Sequence, residues 1–220
     1  MTSKNKTLVM MTRRRDLIEV AKRICRYFDI EISLPVHLDE CCSGSFLAVD
    51  EEYIDLCRKY CETWMKPVSI LKVETSKTAF ALNLLANLVG DINEIVVGID
   101  PGSRLVYTII AYSLLIDWGI TSWDRISSLL QDICNLPFAR RTRIIVSIGA
   151  GSGSNKLLEI IDSIKSQKKC NLRVVVVSEY KTNYENIIGI KGIEYIKGQR
   201  DFIAAINISL RSLLGRNYIE

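Results

Sequence analysis

Between Glu94 and Thr121 the chain reads EIVVGIDPGSRLVYTIIAYSLLIDWGIT, three apolar runs of strand length in close succession. Runs this short and this rich in Ile and Val read as strands. Because only turn-sized gaps separate them, neighbouring strands must run antiparallel. The pattern then changes. SWDRISSLLQDICNL has helical spacing, with Ser122 or Thr121 as its cap, and TRIIVSIG is a fourth strand. NKLLEIIDSIKSQ is a helix, LRVVVVSE a fifth strand, and RDFIAAINISLRSLLG a closing amphipathic helix. Three hairpin-like strands followed by alternating helix and strand predict an α/β mixed sheet with helices on both faces. One residue is costly in this scheme. Asp100 ends an apolar strand, and a carboxylate there requires pairing, hydrogen bonds or a cation.

The region before this succession forms a separate, smaller α/β unit. A boundary at Gly90-Asp91-Ile92-Asn93-Glu94 divides the chain into residues 1–92 and 93–220. RRRDLIEVAKRICRYF, EEYIDLCRKYCETW and SKTAFALNLLANLV read as helices, the last capped by Ser76 and stopped by Gly90. EISLPVHL, SFLAVD and PVSILKV read as strands. The chain of 220 residues is 48% hydrophobic and 25% charged, ordinary values for a globular core. No apolar run reaches the roughly 18 residues of a membrane span, and the basic start lacks the features of a signal peptide, so a cytoplasmic protein with no membrane partner is expected. Residues 93–220 hold 16 Lys/Arg against 12 Asp/Glu, a balance that permits a phosphate-rich partner.

Four motifs, in order, carry a resemblance. GIDPGSR (Gly98 to Arg104) resembles the first-strand motif of RuvC-type Holliday-junction resolvases. SIGAGSGS (Ser147 to Ser154) is similar to the Gly-rich strand-four turn of YqgF-type domains, including the one within the transcription accessory protein Tex. VVVVSEYKT (Val174 to Thr182) resembles the YqgF strand that ends in an acid, and RDFIAAINISLRSL (Arg200 to Leu213) resembles the final helix of these domains. The likeness spans about residues 94–214 and implies a ribonuclease H-like fold. It further implies a metal-dependent nuclease acting on structured or branched nucleic acid, with Mg²⁺ or Mn²⁺ as cofactor and a homodimer as a fitting assembly for a two-fold junction. On that resemblance Asp100, Glu179 and Asp201 are the catalytic, metal-holding set. Ser103, Gly149, Gly151, Ser178 and Thr182 would orient the site or contact phosphate, and Arg104, Arg140, Arg141, Arg143 and Lys181 would contact nucleic acid. Carboxylates suit this chemistry because hard divalent cations take oxygen ligands.

Two departures keep other readings open. RuvC-type resolvases place a further acid at the end of strand four, where this chain has Ser147-Ile148-Gly149, so a non-catalytic nucleic-acid-binding scaffold stands as the first alternative. The second is a nucleotide-binding protein using the Gly-rich turn, with Glu179 on the ribose. Against it, Gly149, Gly151 and Gly153 bring the third glycine one residue too early for G-x-G-x-x-G.

The first unit offers less. His37, Cys41, Cys42, Cys57 and Cys61 are zinc-ligating types, but no C-x-x-C pair is present, and buried thiols are expected ahead of zinc or a disulfide. Seven cysteines, an odd number, favour the reduced state, although scarce Gln beside abundant Ile, Lys and Arg is a thermophile's composition, in which intracellular disulfides occur. Arg13 to Arg15 could meet a phosphate backbone or lie on a solvated helix face. Tyr180 and Tyr184, close after Glu179, could stack on bases or pack in the core.

Overall fold

The computed structural model describes residues 6–63, 69–73, 76–151, 153–167, 170–179, 182, 189–196 and 198–213. It divides into two compact units, Met1–Gly90 and Asp91–Glu220. The first contains β1 (Thr7–Met11), α1 (Arg15–Arg26), β2 (Glu31–Ser33), β3 (Phe46–Val49), α2 (Ile54–Thr63), β4 (Ser69–Lys72) and α3 (Lys77–Val89). Its four strands form an all-parallel sheet in the order β2-β1-β3-β4. β1 was not among the expected strands: TLVMM is five residues long, too short for periodicity to separate strand from helix. α3 is buried from Thr78 to Leu85, the behaviour of a helix apolar on all sides. Ser76 caps it by accepting from the Ala79 N–H at 3.4 Å, and Gly90 ends it at φ 85°, a conformation that costs glycine little.

The second unit follows the expected succession. β5 (Glu94–Pro101), β6 (Leu105–Ala111) and β7 (Leu114–Thr121) are joined as two hairpins; α4 (Trp123–Cys134), β8 (Arg143–Gly149), α5 (Ser154–Gln167), β9 (Leu172–Val177) and α6 (Arg200–Leu213) complete it. The sheet order is β7-β6-β5-β8-β9, with β6 antiparallel to both neighbours and β5, β8 and β9 mutually parallel. The β6–β7 turn uses Tyr112 and Ser113 at φ 54° and 57°, the left-handed pair that a two-residue hairpin requires. Ser122 holds the N-cap position of α4 without a side-chain capping bond.

Both faces of this sheet are covered. Gly98, aligned with Thr108 on β6 and Ser147 on β8, lies directly under α6. A Cβ at Gly98 would overlap Ser209 Oγ and the Ala205 carbonyl, so the helix rests on bare backbone there. Small hydroxyls seal the contact: Ser147 donates to Ser212, Ser212 to the Ser209 carbonyl at 2.7 Å, and Thr108 lies 3.4 Å from Ser209 Oγ. The alternate residues Ile95, Val97, Ile99, Ile144, Val146 and Ile148 point to the other face and are fully buried, as are Ile126 and Leu130 of α4 and Leu157 and Ile161 of α5. Among the described residues no helix is long and apolar enough to cross a membrane.

The cysteines differ from expectation. Cys42 is bonded to Cys61 and Cys134 to Cys170, while Cys25, Cys41 and Cys57 keep buried thiols. Burial pushes the Cys25 and Cys57 thiols up to about 12, with Cys41 adding to the rise at Cys57, so neither is a reactive thiolate. Cys134–Cys170 ties the end of α4 to the entry of β9 across 36 residues. Closing a loop of that length is worth roughly 4 kcal/mol through the unfolded chain. Cys134→Ser is therefore expected to lower the melting temperature of the second unit by roughly 10–15 °C, and reductant to lower the wild-type second-unit transition equally while leaving the variant's in place.

Candidate metal centre

The carboxyl ends of parallel strands fall on one edge of a sheet, and here β5, β8 and β9 end together. Asp100 is the penultimate residue of β5, Gly149 is the last of β8, and Glu179 follows β9 by two residues. Asp201 lies in the first turn of α6, the helix that crosses the same face. Three acids separated by up to 101 positions thus converge through topology alone. Their mutual field is visible at Asp100, whose carboxyl is pushed up to about 6. Burial is the main cause, the Glu179 charge the next; the Gly102 N–H works against them, and the Asp201 charge adds a smaller rise.

Glu179 stands against the Gly-rich turn after β8. Its Oε1 is buried without a hydrogen-bond partner among the described residues. The Gly-rich turn explains how it fits. A Cβ on Gly149 would overlap Glu179 Oε1, and one on Gly151 would lie 2.9 Å from the same oxygen. These glycines make room for the Glu179 carboxyl group. Gly153 faces the Trp123 ring and Pro101 instead, at 2.8 and 3.0 Å from its would-be Cβ. The missing strand-four acid takes on a new sense here: the space a side chain at Gly149 would fill is held by Glu179.

The orphaned oxygen is the observation that fits a divalent cation, since a carboxyl oxygen buried without a partner is otherwise costly. The oxygens of Asp100, Glu179 and Asp201 do not all lie within 4.8 Å of one another; among the described residues only the sulfurs of Cys41, Cys42 and Cys61 form such a group. The acidic set is thus open, suited to ligands bridging across it more than to one enclosed ion. The cysteine group has two of its three sulfurs joined to each other, while His37 is exposed and the Cys57 sulfur lies 3.5 Å from Met11 Sδ.

The remaining expected residues divide by position. Ser103 and Arg104 are exposed at the β5–β6 hairpin tip, beside Asp100. Thr182 is buried, and its hydroxyl and N–H both donate to the Glu179 carbonyl, at 2.9 and 3.1 Å. The Ser178 carbonyl accepts from Arg211 of α6, and the Thr182 carbonyl from Asn207, so α6 grips the loop carrying Glu179. Arg140, Arg141 and Arg143 are not near the site. They lie at the opposite edge, where Arg141 faces Asp91 at 3.7 Å and Arg143 faces Glu94 at 3.3 Å, a full β8 length of roughly 20 Å away. Sequence adjacency to strand four suggested otherwise because it does not say which end of a strand carries the chemistry. Lys181, Tyr180 and Tyr184 lie outside the described residues. Sequence reasoning passed over Lys156, whose ammonium sits 5.2 Å from the Trp123 ring centroid at the same edge, and Arg211. Helical periodicity marks both only as polar-face residues. No protein-family model matches the chain, and no curated protein matches it.

Proposed function

We propose that residues 91–220 form a ribonuclease H-like unit that hydrolyses phosphodiester bonds in structured nucleic acid, four-way junctions among them, with Mg²⁺ or Mn²⁺. The observation that carries this reading is the unpartnered, buried Glu179 oxygen facing a partly buried Asp100 that also feels Asp201. The mixed sheet with three hairpin strands, then strand, helix, strand and closing helix, supports the fold that the sequence resemblance implies. Asp100, Glu179 and Asp201 would hold the cation, which when bound supplies Lewis-acid activation of water and stabilisation of the leaving oxygen. Gly149 and Gly151 hold Glu179 in place by leaving it room, Thr182 and Arg211 fix the loop that bears it, and the exposed Arg104 and Lys156 stand where phosphates would arrive. A non-catalytic nucleic-acid scaffold is the second reading, favoured by the openness of the acidic set and the absence of an acid on β8.

Thermal melting against Mn²⁺ tests the site. A cation bound only by the folded chain raises stability by about 2.7 kcal/mol at a hundredfold excess over its dissociation constant. Wild type is expected to show a saturable rise in melting temperature and Glu179→Gln none. A rise that is the same in both places the cation elsewhere. Cleavage of junction, flap and RNA–DNA hybrid substrates then separates the two readings, since binding without cleavage at every metal establishes the scaffold.

A further inference from the structure

The first unit contains a crevice that the acidic site leaves unused. In the order β2-β1-β3-β4 the chain leaves β1 toward β2 on one side, while β3 joins β1 on the other. Right-handed crossovers then place the connections leaving β1 and entering β3 on opposite faces of an open parallel sheet. A gap opens beyond the carboxyl ends of the two strands where the order reverses. A cavity of about 330 Å³ lies at this point, bounded by residues 10–13 at the end of β1, residues 34–36 after β2, and Asp50 and Tyr53 after β3.

Its chemistry is mixed in a specific way. Met10, Met11 and Ile18 give it an apolar floor. Arg13, Asp50 and Tyr53 line it, and none of the three makes a side-chain hydrogen bond or ion pair with any described residue, whereas the neighbouring Arg14 is bonded to Asp16 at 2.6 Å. Leu34 and Val36, on either side of Pro35, are 51% and 84% exposed, a pair of large apolar side chains left facing water at the rim. A purely apolar ligand would strand the guanidinium and the carboxylate, and a small dianion would leave the rim wet and meet Asp50. A ligand with an anionic group at one end, hydroxyl donors in the middle and a flat, uncharged body satisfies all three parts. The volume is at the low end for ligand pockets and suits a mononucleotide rather than a dinucleotide.

We propose that this crevice binds a ribonucleoside monophosphate: phosphate on Arg13, ribose hydroxyls on Asp50, and base against Leu34, Pro35 and Val36. Arg13 sits in the three-residue turn between β1 and α1. Asp50, at a strand end, acts as the acceptor for vicinal hydroxyls. The site is distinct from the Gly-rich turn of the second unit and independent of the nuclease reading.

Titration calorimetry on the full chain tests it, with AMP, GMP, CMP and UMP as probes and their 2′-deoxy forms, ribose 5-phosphate and inorganic phosphate as comparisons. At least one ribonucleoside monophosphate is expected to bind, more tightly than ribose 5-phosphate. Arg13→Gln should weaken that binding at least tenfold, the loss of a charge-assisted hydrogen bond. Asp50→Asn should abolish the preference for the bound ribonucleotide over its 2′-deoxy form, because the 2′-hydroxyl then loses its charged acceptor. Both positions lack side-chain partners, so the variants should melt like wild type; Glu179→Gln should bind nucleotide unchanged. Binding indifferent to both substitutions, ribose 5-phosphate binding as tightly as any nucleotide, or no nucleotide binding at millimolar concentration would each overturn the proposal.

Discussion

Asp100→Asn is expected to reduce metal-dependent phosphodiester cleavage at least about a thousandfold, the scale of losing an interaction made to the charge that develops in the transition state. The residue stands where burial, Glu179 and Asp201 all act on one carboxyl group. Asparagine keeps the shape and removes the charge, so a lost rate with a retained fold isolates the charge. The same substitution should stabilise the chain in the absence of metal. Because folding moves the Asp100 carboxyl from 3.8 up to about 6, the native state holds a proton that the unfolded state has released between those values. The destabilisation is therefore absent below about pH 4, grows up to about pH 6 and is complete above it. Undamped, the shift corresponds to about 3 kcal/mol; at a half-buried site solvent screening leaves about 1–2 kcal/mol. Melting at pH 8 should favour Asp100→Asn over wild type, the difference should vanish at pH 3.5, and Mn²⁺ should reverse it at pH 8. A stability gap that is constant across this range would show that Asp100 is not held among like charges.

Gly98→Ala should be the most damaging single methyl group that can be added to the second unit. Its Cβ would overlap Ser209 Oγ and the Ala205 carbonyl and sit 3.1 Å from Thr108 Oγ1. A helix carbonyl cannot rotate aside as a side-chain end can, so α6 has to lift. Lifting it breaks the Ser147–Ser212 contact, loosens the grip of Arg211 and Asn207 on the Glu179 loop, and carries Asp201 away from Asp100. Overpacking of this kind costs about 3 kcal/mol, a fall of roughly 10 °C in melting temperature for a unit this size. Gly102→Ala is the matched control. Its Cβ would meet only Asp100 Oδ1, at 3.4 Å, on an exposed hairpin tip, and the melting temperature should hold. If Gly98→Ala melts like Gly102→Ala, α6 does not rest on the β5 backbone.

Much of the second unit was legible residue by residue. β5 to β9 are short runs rich in Ile and Val, α4 to α6 carry a period of 3.6, and a carboxylate ending EIVVGID declares itself by its cost among apolar neighbours. The first unit was less so. β1 hides in five residues, and the Tyr112–Ser113 hairpin of the second unit uses residues that do not advertise a left-handed turn. Gly149 and Gly151 were visible as glycines but not as the walls of the Glu179 carboxylate, a contact made across more than twenty-five positions. Arg140, Arg141 and Arg143 were visible as a basic cluster, yet their placement at the wrong edge follows only from the parallel run of β5 and β8.

Local sequence alone determined every strand but β1, the helices, the neighbourhood of the boundary near Gly90, and that Asp100 needs explaining, because those properties depend on neighbours within a turn or two. Only the tertiary structure decided that Asp100, Glu179 and Asp201 share one edge, that Cys42 and Cys134 find Cys61 and Cys170, and that Arg13 and Asp50 face one crevice. Strand order and direction settle such meetings, and they are set by burial of whole faces, to which no short window of sequence is sensitive.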